Sequence, residues 1–541
     1  MKRRQIAPTT STFLTVLVGV TKLEDWTKNT ALLRRVHAVY QQCIAHLENL
    51  RHKNPYHPDL IPWPINAYIK ILANARMWPQ AFNVFWSMKD YAPPDETTYA
   101  IMLHLLQSRK DLKSEFCKVD SSLDGEIEKW EDAHGGAGGE QVASAKPEEQ
   151  ISKSDNVENS EDDVPSEEQV DQPNAQEARI VWDTLIRHAS TTGNVSTKVC
   201  VNEHHVEAML RLMARGGPDE QRFGFNIVRT FLPPLRLSGE KKAKEIPPNA
   251  VKINRYTLDA TLELCNLSGK PGAAIEFFRI ITDPSEKSGL WKVLDAKHMV
   301  HVFKAYADVI SSHGVLSDGR EAIAVLEWMF GCVKEKNQTQ LMPIMQHCVY
   351  VLTAAANGGD VSSALRVYEL MTGHQRGEFM DGAPPPKRRH DCSILGPDAK
   401  LRWNYDCMNQ LIKAASVARS VQYMRVALRI LAYYPPDSFL GYAPPSFEPR
   451  KRLTTRKELA MRVLRGCQDV FGRHGGSWNA EVTKWAAIER RATEEKEEVE
   501  RLEAALNEEN AKAEEEAPSQ ESLVQRLVWV EGAKKDWNVE S

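Results

Sequence analysis

Apolar and small residues return every three to four positions along most of this chain, and short polar breaks separate the runs. Between residues 64 and 88, Ala67, Ile71, Leu72 and Ala75 are followed by the break Met77-Trp78-Pro79, then by Ala81, Val84, Phe85 and Met88. That spacing predicts two helices joined by a short turn. Similar pairs are predicted around 254–281, 295–330, 344–371 and 403–432, with a less regular one at 178–232. Sustained period-two alternation between tight turns, the signature of strands, is hard to find. A helical pair cannot cover its own apolar face, so neighbouring pairs must stack. A repeat near 35 residues therefore predicts an all-α protein built as an α-solenoid.

Two stretches break the pattern. The run Gly135-Gly136-Ala137-Gly138-Gly139 and the Glu/Ser/Asp/Pro/Gln-rich residues after it carry too little apolar surface to offset chain ordering, and predict a disordered acidic insertion over 120–177. Its glycines are not followed by Gly-Lys-Ser/Thr, so a phosphate-cradling loop is not indicated. Residues 486–517 are rich in helix formers with Val499, Leu502 and Leu506 as a short apolar stripe, too short for a sustained coiled coil; they predict a solvated charged helix. The expected organisation is N-terminal repeats over 1–119, the insertion over 120–177, degenerate repeats over 178–440, a helical region over 441–485, the charged helix over 486–517 and a tail over 518–541.

Charge changes the picture. The formal net charge of the 541 residues is −4, yet residues 120–178 hold 18 acidic against 3 basic side chains, and 486–517 hold 12 against 5. With the tail at −1, the other 426 residues carry +19. A basic body suits a polyanionic partner, since Lys and Arg neutralise phosphates and release counterions, though many globular bodies carry a modest positive excess. The runs 241–244, 386–390 and 450–457 are the densest basic clusters, read equally well as phosphate contacts or as solvated loops. No stretch reaches the roughly 18 apolar residues of a membrane span. Nine cysteines without a CxxC pair support neither a disulfide framework nor a zinc ribbon. The best metal candidate, Asp295-x-x-His298-x-x-His301, has no evident fourth ligand, and a structural role for its histidines is the expected one. No hydrolase, zincin or kinase motif is present, so no enzyme activity, cofactor or metal is expected.

One repeat carries a family signature. Ile65-Asn66-Ala67-Tyr68-Ile69-Lys70-Ile71-Leu72, then Ala81-Phe82-Asn83-Val84-Phe85-Trp86-Ser87-Met88, then Pro94-Asp95-Glu96-Thr97-Thr98-Tyr99 resembles the pentatricopeptide repeat, although the usual Tyr before Asn66 is absent. Weaker echoes are Ile6 to Phe13, Gly269 with Ala274 to Phe278, Gly359-Asp360 with Ala364 to Met371, and Cys407 to Ile412. The recognisable repeats cover about half of the chain. Small residues such as Ala67, Ala81, Ala274 and Ala364 let helices approach, and Phe85, Met88, Phe278 and Met371 are expected between layers.

The resemblance implies a right-handed superhelix whose repeats each present a fifth and a last residue to one base of single-stranded RNA. Carried onto this chain, Asn66 is a fifth and Asp95 a last residue, a pair that in the family favours uridine. Asp259 and Asn409 fall at fifth positions of later repeats. Ala100 and Val349 stand where the family has Asn, Ser or Thr. For Asn66 the competing reading is a helix-start cap. The resemblance further implies a monomer in the mitochondrial matrix that binds single-stranded rRNA or mRNA in organellar RNA processing, stability or translation, with small-subunit rRNA maturation and the mitoribosomal small subunit as the nearest role and partner and a factor for one messenger or intron as the close rival. Residues 1–23, with Lys2, Arg3, Arg4 and Lys22 and no acid, are compatible with a transit peptide, while Pro8 to Phe13 reads as the interior of a repeat, so that a targeting segment precedes residue 1 on that reading. The alternative function is a protein-binding helical scaffold or mitoribosome-associated subunit, because helical arrays bury the same core whichever ligand they hold.

Overall fold

The computed structural model describes residues 8–23, 26, 29–109, 172–191, 199–235, 250–283, 289–313, 317–383, 393–396, 399, 401–434, 438–441, 448–473 and 479–516. Among the described residues the protein is all-α, with eighteen α-helices and no strand. The chain forms two compact units, Met1–Val293 and Leu294–Ser541. The first holds α1 (Thr10–Val20), α2 (Thr30–Lys53), α3 (Trp63–Asn74), α4 (Trp78–Ser87), α5 (Glu96–Ser108), α6 (Gln172–Thr191), α7 (Glu203–Arg215), α8 (Pro218–Phe231), α9 (Arg255–Leu267) and α10 (Pro271–Thr282). The second holds α11 (Ala296–His313), α12 (Ser317–Lys336), α13 (Met345–Gly358), α14 (Val361–Thr372), α15 (Tyr405–Val417), α16 (Val421–Tyr433), α17 (Pro449–Arg473) and α18 (Asn479–Glu516).

Within each unit, every odd-numbered helix packs against the even-numbered helix that follows it. The odd-numbered helices also pack on one another in chain order, α1 to α3, α5, α7 and α9 in the first unit and α11 to α13, α15 and α17 in the second. The residues expected to sit between helices do so: Ala67, Ala81, Ala274, Ala364, Phe85, Met88, Phe278 and Met371 are all buried.

Most odd-numbered helices start in a shared way. A polar residue before the helix caps the backbone N–H two or three residues on: Asp95, Asn202, Asn254, Asp295 and Asn404 all accept such bonds. The residue three positions later returns the bond to the capping residue's own N–H through Thr98, His205, Thr257 and His298, and His347 makes the same return to Ile344, whose side chain cannot cap α13. Two of these histidines reach further. With Nδ1 accepting from the cap, Nε2 carries the proton, and it meets the first carbonyl of the preceding odd-numbered helix: His205 bonds the Glu96 oxygen and His347 the Ala296 oxygen, each at 2.7 Å.

The turns inside pairs share a left-handed residue, Arg76, Gly269, Gly359 or Arg419, with φ of 60°, 63°, 66° and 50°. An arginine there is strained by its Cβ. Arg419 is exposed, so Arg419→Gly is expected to stabilise the second unit by about 1 kcal/mol. A denaturant midpoint that falls in this variant would show that the side chain's contacts outweigh the relief.

Three boundaries differ from expectation. Helix α6 begins at Gln172, inside the segment assigned to the insertion, with Asn174 and Ala175 buried. Tertiary contact overrides its polar composition: Asn174 Nδ2 donates to the Arg109 carbonyl at 3.0 Å, and Arg109 pairs with Glu177 at 2.7 Å. The irregular pair read at 178–232 is in fact the partner of α5, separated from it by residues 110–171, followed by a full pair, α7 and α8. Helix α18 runs through the expected 485/486 boundary and packs along α17. Its buried stripe is Trp485, Ile488, Ala492, Glu495 and Val499, and Leu502 is exposed. Glu495 sits at an apolar position because Arg456 meets it at 2.6 Å.

Candidate nucleic-acid interface

Counted from the capping residue, the fifth position of the odd-numbered helices holds Ala100, Glu207, Asp259, Val300, Val349 and Asn409. Asn66 takes the corresponding place on α3, whose start Pro62 and Pro64 displace. The second and ninth positions share this face, since residues three, four and seven apart lie on one side of a helix. Trp63 and Tyr256, at second positions, are 52% and 47% exposed. Lys70, Arg211, Lys304 and Lys413 stand at ninth positions.

The structure brings Asn66 and Asp95 together: Asn66 Nδ2 donates to Asp95 Oδ1 at 3.5 Å. The same Asp95 oxygen caps α5, accepting from the Thr98 N–H and hydroxyl, each at 2.8 Å. Asn66 is only 4% exposed, and its Oδ1 is a buried acceptor with no hydrogen-bond partner. Because Asp95 accepts from Nδ2, the amide is oriented with that oxygen turned away from the pair.

Asp259 and Asn409 are likewise covered, at 3% and 7% exposure, but each is held by an arginine of a neighbouring odd-numbered helix. Arg211 of α7 contacts Asp259 at 2.7 Å, Glu263 at 2.8 Å and Glu207 at 3.3 Å. Burial pulls the Arg211 pKa down, and the bond to Asp259 with the charges of Glu263, Asp259 and Glu207 raises it above its ordinary value. Asn409 Oδ1 accepts from Arg462 Nη1 of α17. Sequence reasoning missed both arginines. Their one signal is that Arg211 lies at a ninth position, facing the fifth position of the next odd-numbered helix.

The basic clusters 241–244 and 386–390 lie outside the described residues. The cluster 450–457 is on α17, and α18 pairs with two of its five cations: Arg456 meets Glu495 and Glu498 at 2.6 and 3.5 Å, and Lys457 meets Glu503 at 2.7 Å. Among the described residues no group of three His, Cys, Asp or Glu side chains is placed to hold a metal ion. Asp295 and His298 serve as the cap of α11. None of the seven cysteines among the described residues is in a disulfide, and all but Cys200 are buried. Burial pushes the Cys43, Cys348 and Cys467 thiols up to about 12, so they stay protonated. No described helix is long and apolar enough to cross a membrane.

On the opposite layer, a cleft of about 310 Å³ opens between α4 and α6. Trp78, Phe82 and Trp86 form one wall and Ile180 the other, with the Arg109–Glu177 pair at one end. Trp86 and Ile180 are exposed. The sequence matches no protein-family model and no curated protein.

Proposed function

We propose that this chain is an α-solenoid of pentatricopeptide type that binds single-stranded RNA in the mitochondrial matrix. It acts there in RNA processing, stability or translation, with small-subunit rRNA maturation the nearest case. The observation that carries this reading is the Asn66–Asp95 pair. A buried acceptor without a partner calls for a reason, because leaving one unmade costs roughly 1–3 kcal/mol. A base that displaces the cover over Asn66 would bring a pyrimidine imide N–H to the acceptor that lacks a partner, while Asp95 holds the amide nitrogen. The order of packing among odd-numbered helices within each unit supports a solenoid arrangement, and the exposed rings of Trp63 and Tyr256 are suited to stack on unpaired bases. The protein would hold a segment of RNA unpaired, guarded from exonucleases and misfolding, without chemistry of its own.

The test is filter binding of the cognate RNA, identified by UV crosslinking of the tagged protein in intact cells. Asn66→Ala is expected to lower affinity by roughly 1 kcal/mol or more, measured at a temperature where circular dichroism shows the variant folded. Unchanged affinity would remove Asn66 as a reader.

One observation favours the protein-binding scaffold instead: the aromatic cleft between α4 and α6, which takes a partner offering large apolar side chains. Salt separates the readings, since RNA binding weakens steeply as salt rises and an apolar cleft responds little.

A further inference from the structure

Two ninth positions differ in the charge around them. In the first unit, Arg211 is surrounded by Glu207, Asp259 and Glu263, and Arg215 reaches Glu263 at 3.8 Å, so three carboxylates answer two cations. In the second, Lys413 lies one turn beyond Asn409 on α15, and Arg462 of α17 bonds Asn409. Lys413 Nζ donates to Asn357 Oδ1 at 2.8 Å, and Arg462 Nη2 meets Glu458 at 3.0 Å. Two cations here share one carboxylate, and Glu458 is itself exposed.

The electrostatics agree with that count. Burial holds the Lys413 pKa below its ordinary value, the Arg462 charge lowers it further, and Glu458 only partly opposes them. An ammonium has three N–H donors and a guanidinium five. One of the first goes to Asn357 and two of the second to Asn409 and Glu458, which leaves further donors on two half-buried side chains. An arriving anion would relieve the repulsion and accept those protons; a phosphate oxygen suits a guanidinium fork beside an ammonium.

We infer that Lys413 and Arg462 form a phosphate site of the second unit, taking a backbone phosphodiester of single-stranded RNA beside Asn409. The inference rests on the RNA-binding reading above. Its ligand is a diester rather than free phosphate, because the site carries only a single net positive charge and adjoins a fifth-position amide.

The experiment uses the full chain and fluorescence anisotropy of labelled oligouridylate and of a random-sequence RNA pool across a potassium chloride series. For single strands each lost phosphate contact lowers the slope of log K against log salt by about 0.7. Lys413→Gln is therefore expected to reduce the slope by about 0.7, and Lys413→Gln with Arg462→Gln by about 1.4. Arg490→Gln, on the exposed face of α18, is expected to leave the slope unchanged. Lys413→Gln keeps the Arg462–Asn409 bond, so it reports even if the double variant loses its fold. If the wild type binds RNA and Lys413→Gln has the wild-type slope, the phosphate site is overturned and the RNA reading stands. If the wild type binds neither RNA, the RNA reading falls and takes the site with it. Competition by inorganic phosphate beyond that of chloride at equal ionic strength would overturn the diester assignment.

Discussion

Replacing Arg211 by leucine is expected to destabilise the first unit by roughly 3–5 kcal/mol, the range for removing one partner of a buried ionic cluster. The guanidinium joins α7 to α9 through Asp259 and Glu263 and meets Glu207 on its own helix. Without it, three carboxylates face one another, and Asp259, 3% exposed, cannot recover its hydration where it stands. Leucine keeps the aliphatic stem's packing, which separates lost charge from lost volume. Asp259→Asn in the Arg211→Leu background removes the most deeply buried charge and is expected to restore a substantial part of the stability. Denaturant unfolding monitored by far-UV circular dichroism checks both. A loss below about 1 kcal/mol for Arg211→Leu would mean that the carboxylates are already well solvated, as in a surface pair.

That cluster also marks where sequence reading stops. Local signals were legible because they are local: the three-to-four-residue spacing of Ala67, Ile71 and Leu72 and the break at Met77-Trp78-Pro79 each depend on neighbours within a turn or two. The resemblance named Asn66 and Asp95 as the residues of one repeat that face a base, and the bond between them came only with the structure. Arg211 and Asp259 are 48 positions apart, and Asn409 and Arg462 are 53, with residues of ordinary polar type at each end. No periodicity joins such positions; only the stacking of odd-numbered helices does. The same cause hid the start of α6, where Asn174 is buried by a bond to Arg109 from before the insertion. It also hid the stripe of α18, where Glu495 occupies an apolar position because Arg456 awaits it.

Acid is expected to loosen the second unit before it protonates most carboxylates, because of His347. Its Nδ1 accepts from the Ile344 N–H at 3.1 Å, and its Nε2 donates to the Ala296 carbonyl at 2.7 Å. The ring thus ties the start of α13 to the start of α11, and it makes both bonds only as the neutral Nε2 tautomer, because protonation of Nδ1 removes the acceptor for the Ile344 N–H. Burial lowers its pKa from 6.5 to about 4, with the Ala296 bond opposing the shift. Above pH 6.5 neither the folded nor the unfolded chain holds a proton on this ring, and it adds no pH dependence. Between 6.5 and about 4 the unfolded chain takes up a proton that the folded chain refuses, so stability falls as pH falls, by about 1.4 kcal/mol per unit. Below about 4 both states are protonated and the slope vanishes. His205 ties α7 to α5 in the same manner and its pKa is lowered chiefly by burial, which gives the first unit a slope of the same sign. His347→Thr isolates the effect, because Thr98 and Thr257 show that a threonine at this position still returns the capping bond. Stability of the variant and of the wild type, measured by urea unfolding from pH 7.5 to 4, is expected to differ least in acid. Two parallel curves would mean that His347 titrates as it does in the unfolded chain, and the tie between α13 and α11 would then carry no pH sensitivity.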